Sequence, residues 1–98
     1  MSLLVEYSIV DGKSSEQVEA LQSFVGALKI LDDSGFDYTA YETDDPTKFI
    51  AVLDFDDADA KERFLASQAF ADYRDGTKGR FASPPETTNI RLVASTRA

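Results

Sequence analysis

Residues 57–81 read DADAKERFLASQAFADYRDGTKGRF, and the reading of this stretch decides the fold. A strand-like apolar run precedes it and another follows it. The segment itself is patterned as helix. Asp56 and Asp57 suit a helix start, because a short acidic side chain accepts an orphan backbone N–H and its charge faces the positive end of the helix dipole. Ala60, Phe64, Ser67 and Ala71 then line one side. Phe70 and Tyr73 leave that stripe, which predicts a break near Ser67 and Gln68 and a second short helix as far as Asp75. Residues 76–85 read as a loop. The stretch holds four of the eleven aromatic residues and five of the ten basic ones, so it is the expected wall of any pocket.

Working outward, residues 48–55 form the most hydrophobic run. Phe49, Ala51, Leu53 and Phe55 fall on one face, with Ile50 and Val52 on the other. Apolar residues on both faces predict a strand covered twice, hence a central one. Residues 36–43 alternate in the same way and precede a turn at Asp44, Asp45 and Pro46, so the two runs read as a hairpin. Residues 3–10 alternate Leu3, Val5, Tyr7 and Ile9 against Leu4, Glu6, Ser8 and Val10, and Asp11-Gly12 ends that strand. Ser14 and Gln17 have capping-box spacing. Val18, Leu21, Phe24, Val25, Leu28 and Leu31 then form a wide helical stripe. That helix is expected over 14–34, with Gly35 as its terminator. The last strand is expected over 88–96, with Ile90, Leu92 and Ala94 on one face and Arg91 and Val93 on the other. Glu6 and Arg91 are expected as a cross-strand ion pair.

The order is therefore strand, helix, strand, strand, helix, strand. It predicts an α+β fold: a ferredoxin-like βαββαβ sheet with its helices on one face, residues 1–98 forming a single domain. The other face would carry Leu4, Ile50, Val52 and Val93. A second copy of the chain is the economical cover, giving a homodimer paired through the sheet faces.

Composition narrows the chemistry. The chain has no cysteine and no histidine, which removes disulfides, thiolates, the commonest general base near neutral pH and the commonest metal ligand. No metal or other cofactor is expected. The net charge of −8 argues against a nucleic-acid partner, since phosphate binding needs a basic face. The charge is uneven. Residues 1–60 hold three lysines and fourteen acids, net −11, and residues 61–98 hold seven basic and four acidic residues, net +3. Arg63, Arg74, Lys78 and Arg80 could form a patch that steers a small anion. No apolar run approaches membrane-spanning length and no signal-peptide pattern is present, so a cytoplasmic protein without membrane attachment is expected. Asp54, Asp56, Asp57 and Asp59 do not make a calcium loop, because Asp59 and Leu65 stand where glycine and glutamate are required. Residues 76–80, GTKGR, lack phosphate-loop spacing.

Phe55, Asp57, Leu65, Ser67 and Phe70 carry a resemblance. A strand ending in an aromatic, an acidic cap, and a helix with Leu-x-Ser-x-x-Phe resemble the antibiotic-biosynthesis-monooxygenase-like family of dimeric α+β barrels. Members often carry histidines where this chain has Phe64 and Ala69, and tryptophan at the position of Phe55. Haem chemistry by a histidine ligand is thus not expected. The resemblance implies cofactor-independent oxidation of a small aromatic or phenolic substrate, in which the substrate supplies its own electrons. The alternative is a non-catalytic homodimer of the same fold that binds a small ligand or a partner. In either case the expected pocket lies between sheet and helices, against Tyr7, Tyr38, Phe49, Phe64, Phe70 and Tyr73. Tyr38 or Tyr73 would hydrogen-bond a substrate oxygen, and Arg63 or Arg74 would stabilise a phenolate. Residues 67–80 are expected to gate access, because Gly76 and Gly79 loosen the backbone while Phe64, Phe70, Tyr73 and Phe81 keep large apolar side chains in or beside that stretch.

Overall fold

A computed structural model describes residues 1–31 and 35–97. The elements are β1 (Ser2–Ser8), α1 (Ser14–Ile30), β2 (Phe36–Glu42), β3 (Lys48–Phe55), α2 (Ala58–Ala66), α3 (Gln68–Gly76) and β4 (Glu86–Ile90). The strands form one sheet in the order β2-β3-β1-β4, every neighbour antiparallel. This is the ferredoxin-like arrangement, with β3 and β1 central.

The alternation on β3 sorts its side chains as the sequence predicts. Phe49, Ala51, Leu53 and Phe55 are buried beneath the helices, and Ile50 and Val52 lie half-buried on the opposite face. Residues directly opposite across an antiparallel pair share a face. Leu4 opposes Val52, and Tyr41 opposes Ile50, so these four share the face without helices, where Glu6 also opposes Ile50 and Thr39 opposes Val52. The same register sets Asp37 against Asp54 and Glu6 against Glu86.

The helical layer closes over β2 and β3. Phe24 and Leu28 of α1 pack with Ala51, Leu53 and Phe55 of β3 and with Ala60 and Phe64 of α2. Asp57 caps α2 by accepting from the Ala60 backbone N–H at 2.8 Å. Ser67 ends α2 in an extended conformation, φ −69° and ψ 149°, and caps α3 by accepting from the Phe70 N–H. The expected break is therefore a shared cap: one residue leaves helical geometry and its hydroxyl satisfies the next helix start. Gly35 has φ 117°, a backbone conformation that favours glycine, and a Cβ there would stand 3.3 Å from the movable Arg63 guanidinium.

Several expectations are corrected. The Ser14–Gln17 capping box does not form. Lys13 occupies the N-cap without a side-chain bond, Ser14 donates to the Pro46 carbonyl, and Gln17 is wholly buried. Helix α1 ends at Ile30, and positions 32–34 of the expected helix lie outside the described residues. Strand β4 covers Glu86–Ile90 instead of 88–96, because β1 begins at Ser2 and offers no partner beyond Ile90. Leu92 and Val93 are consequently 82% and 96% exposed, and Val93 is not on the sheet face. Glu6 faces Glu86 across the strands, not Arg91. Strand β1 itself stops at Ser8. Beyond it Ile9 bridges Phe81, the Val10 N–H donates to the Arg80 carbonyl at 2.8 Å, and the Ala82 N–H donates to the Ser8 carbonyl at 2.9 Å. These bonds hold residues 80–82 against the end of β1.

Candidate functional site

The interior between sheet and helices is lined by aromatic rings in mutual contact. Phe64, 2% exposed, meets Phe24, Phe36, Tyr38, Phe55 and Phe70, with ring centroids 5.3–6.2 Å apart. Tyr73 stacks on Phe24 at 4.5 Å, and Tyr7 lies between Phe81 and Phe49. Offset and edge-on ring pairs of this kind add stability beyond area burial.

These rings do not fill the space. A cavity of about 240 Å³ remains, bounded by Leu3, Val5 and Tyr7 of β1, Tyr38 of β2, Ala51 and Leu53 of β3, and Phe64, Phe70 and Tyr73 of the helices. Leu65, Phe81, Pro85 and Thr87 complete its wall. Leu65 is 46% exposed, which places the mouth where the helical layer stops short of β4. The lining is almost wholly carbon. A larger groove of about 530 Å³ runs between α1 and β2, but it is a surface trough of mixed character along Gln22, Lys29, Tyr41 and Glu42. The interior cavity is the better candidate because it is the less open of the two, is apolar, and is bordered by the rings of Tyr7, Tyr38 and Tyr73.

The Tyr7 and Tyr73 hydroxyls are organised by Gln17. Its amide nitrogen donates to the Tyr7 hydroxyl at 2.9 Å and to the Tyr73 hydroxyl at 2.7 Å. Its carbonyl oxygen accepts from Arg80 Nε at 3.1 Å. Arginine is a donor only, so this last bond fixes which end of the amide faces the tyrosines. Arg80 Nη1 donates to the Gly76 carbonyl, while Nη2 is buried with no hydrogen-bond partner among the described residues. Burial raises the Tyr7 phenol far above the ordinary tyrosine range, and Tyr73 and Tyr38 nearby add to the shift; donation from Gln17 opposes it. Burial also raises Tyr38, with Tyr73 a further cause. Both phenols therefore stay neutral at physiological pH. Among the described residues no group of three or more metal-ligating side chains stands together.

Of the residues expected from the sequence, Tyr7, Tyr38, Phe64, Phe70 and Tyr73 meet at the cavity wall. Phe49 is buried behind Tyr7 and borders the α1–β2 groove. Arg74 lies over the Phe70 ring, 5.5 Å from its centroid, and Arg63 sits beside Gly35; neither borders the cavity. Gln17 was not among the candidates. The signal was present in its position: Gln17, Leu21, Phe24 and Leu28 form the buried stripe of α1, so a polar side chain stands in an otherwise apolar row. Arg80 is legible only as part of a basic patch.

No family model and no curated protein sequence matches the chain. Solved structures do match in fold. A Bacteriodes thetaiotaomicron protein provisionally named an antibiotic biosynthesis monooxygenase superimposes with a TM-score of 0.86 at 17% identity, covering 100% of this chain and 93% of that one. A Nitrosomonas europaea protein with the same provisional name gives 0.78 at 17% identity, covering 89% and 84%. Rv0793 from Mycobacterium tuberculosis gives 0.82 at 14% identity, covering 97% and 96%. Sheet order, helix placement and these neighbours agree with the residue pattern from Phe55 to Phe70: the chain has the antibiotic-biosynthesis-monooxygenase-like fold.

Proposed function

We propose that the protein is a cytoplasmic homodimer whose cavity binds a small aromatic molecule carrying an oxygen substituent, and that it oxygenates this molecule without a cofactor. The observation that carries the reading is the apolar aromatic cavity lined by three tyrosines, two of whose hydroxyls are joined by Gln17. An apolar cavity of roughly 150 Å³ already takes benzene. At about 240 Å³ this one suits a substituted single ring or two fused rings. Apolar walls exclude water from an electron-rich ligand, and hydroxyls of the lining tyrosines orient it.

The chemistry balances with the substrate as sole reductant. The ring carbon para to the hydroxyl, a CH2 in the keto tautomer, gives up four electrons and two protons to O2; one oxygen atom becomes the second carbonyl of a quinone and the other leaves as water. Incubation of one- and two-ring hydroxyaromatics under ¹⁸O2 tests this. The expected result is oxygen uptake with one labelled oxygen in the product and one in water.

A second reading has its own support. Tyr7 and Tyr38 are held protonated by burial, so neither is a base near neutral pH. Saturable ligand binding without oxygen uptake would select a binding protein of the same fold. The dimer rests on Leu4, Tyr41, Ile50 and Val52, which share the face opposite the helices.

A further inference from the structure

We propose that Gln17 and Arg80 together make the tyrosine cluster a site for an anionic oxygen, with Gln17 as the positioning residue and Arg80 as the charge behind it. The inference rests on the reading of the cavity as an aromatic-ligand site and specifies which oxygen chemistry that ligand carries.

Proton counting leads to it. Gln17 spends both amide protons on the Tyr7 and Tyr73 oxygens. Each phenol then accepts through its oxygen and still has its own proton to give. One phenol can donate to the other, but the pair then keeps one proton without an acceptor. No carbonyl or carboxylate among the described residues accepts a hydrogen bond from either hydroxyl. The amide cannot rotate to relieve this, because its oxygen is held by Arg80 Nε. The cluster thus has more donors than acceptors, and the missing acceptor has to arrive with a ligand or water.

Charge selects among acceptors. Arg80 forms no ion pair with a carboxylate of the described residues, and its Nη2 is buried and unpartnered. Its positive charge polarises the Gln17 amide, and chains of hydrogen bonds strengthen one another in a medium of low dielectric. The gain is largest for an oxygen bearing negative charge, because hydrogen bonds to ions are about twice as strong as neutral ones. The backbone pairing of residues 80–82 with the end of β1 holds Arg80 in place for this role. A phenolate or enolate oxygen on a flat apolar body meets both requirements, the carbon-lined cavity and the spare proton on the Tyr7 and Tyr73 hydroxyls of two rings in its wall.

The test compares two probes of similar shape, 4-nitrophenol and nitrobenzene, by direct titration, with 4-nitrophenolate read by its own absorbance. Wild-type protein is expected to bind nitrobenzene, to bind 4-nitrophenolate about tenfold or more tightly, as one hydrogen bond to a charged group allows, and to lower the apparent pKa of the bound phenol. Gln17→Glu reverses the amide's polarity while keeping its shape, and should abolish the phenolate preference and the pKa shift with nitrobenzene affinity retained. Tyr73→Phe, at a less buried position, should do the same in part. Equal binding of both probes by the wild type overturns the proposal while leaving the aromatic-ligand reading standing. An undiminished phenolate preference in both variants also overturns it. Binding of neither probe removes the ligand reading and the proposal together.

Discussion

The side-chain amide of Gln17 lies 2.7 Å from the hydroxyl of Tyr73, fifty-six residues further along the chain. One fully buried polar side chain thereby joins α1 to α3, and through Tyr7 and Arg80 it also joins β1 and the segment after α3. Replacing Gln17 by Leu removes three hydrogen bonds and strands their partners. A loss of about 1–3 kcal/mol is expected, the cost of leaving buried polar groups unsatisfied. Urea unfolding of the two proteins measures it; a change of a few tenths would mean that water replaces the amide.

Phe64 and Phe70 both touch the aromatic cluster but differ in burial. Phe64→Ala should cost about 3–5 kcal/mol, as truncation of a buried Phe does. No residue of α3 is fully buried. If residues 67–80 gate the cavity, Phe70→Ala should cost about 1 kcal/mol or less while aromatic-ligand affinity falls. A loss for Phe70→Ala equal to that for Phe64→Ala, with uniformly slow hydrogen exchange over residues 67–80, would make the segment core instead.

The sheet face opposite the helices is the expected dimer contact. Val52→Lys places a charge in that face, opposite Leu4 and Thr39 and next to Ile50. Sedimentation should then report a 10.8 kDa monomer where the wild type sediments at twice that mass. A wild-type monomer at working concentration would remove the dimer.

Glu6 faces Glu86 and Asp37 faces Asp54 across neighbouring strands. Like charges directly opposite are destabilising, so Glu86→Gln should raise stability by about 0.2–1 kcal/mol at low salt. The gain should shrink as added salt screens the repulsion. A salt-independent change would point to altered packing.

Tyr7 and Tyr38 have phenol pKa values raised by burial. The folded state then holds these protons above the ordinary tyrosine pKa of about 10, where the unfolded chain releases them. Their contribution is complete below that pH and is lost as pH rises toward the folded values, so stability falls on the alkaline side. Spectrophotometric titration should show the tyrosinate signal of these two residues only with unfolding. Reversible ionisation of all four tyrosines near pH 10 in folded protein would contradict the burial.

Local rules carried much of the architecture. Alternation identified β3 to the residue, the Asp57 cap and Ser67 break were readable as side chains that compete for backbone donors, and Gly35 announced a positive φ. Five of the aromatic residues at the cavity wall were also legible, since large apolar side chains on the inward faces of strand and helix have one place to go. The end of β4 was not, because residues 91–96 continue the strand pattern and only the pairing with β1 decides where the strand stops. Gln17 lay beyond local reading for a related reason. Beside Ser14 it looks like a cap; its partners Tyr7, Tyr73 and Arg80 are 10, 56 and 63 residues away. Periodicity tells which way a side chain faces, whereas a buried hydrogen bond depends on which distant groups the folded chain brings within 3 Å of it, and that is settled only when helix, sheet and loop have packed.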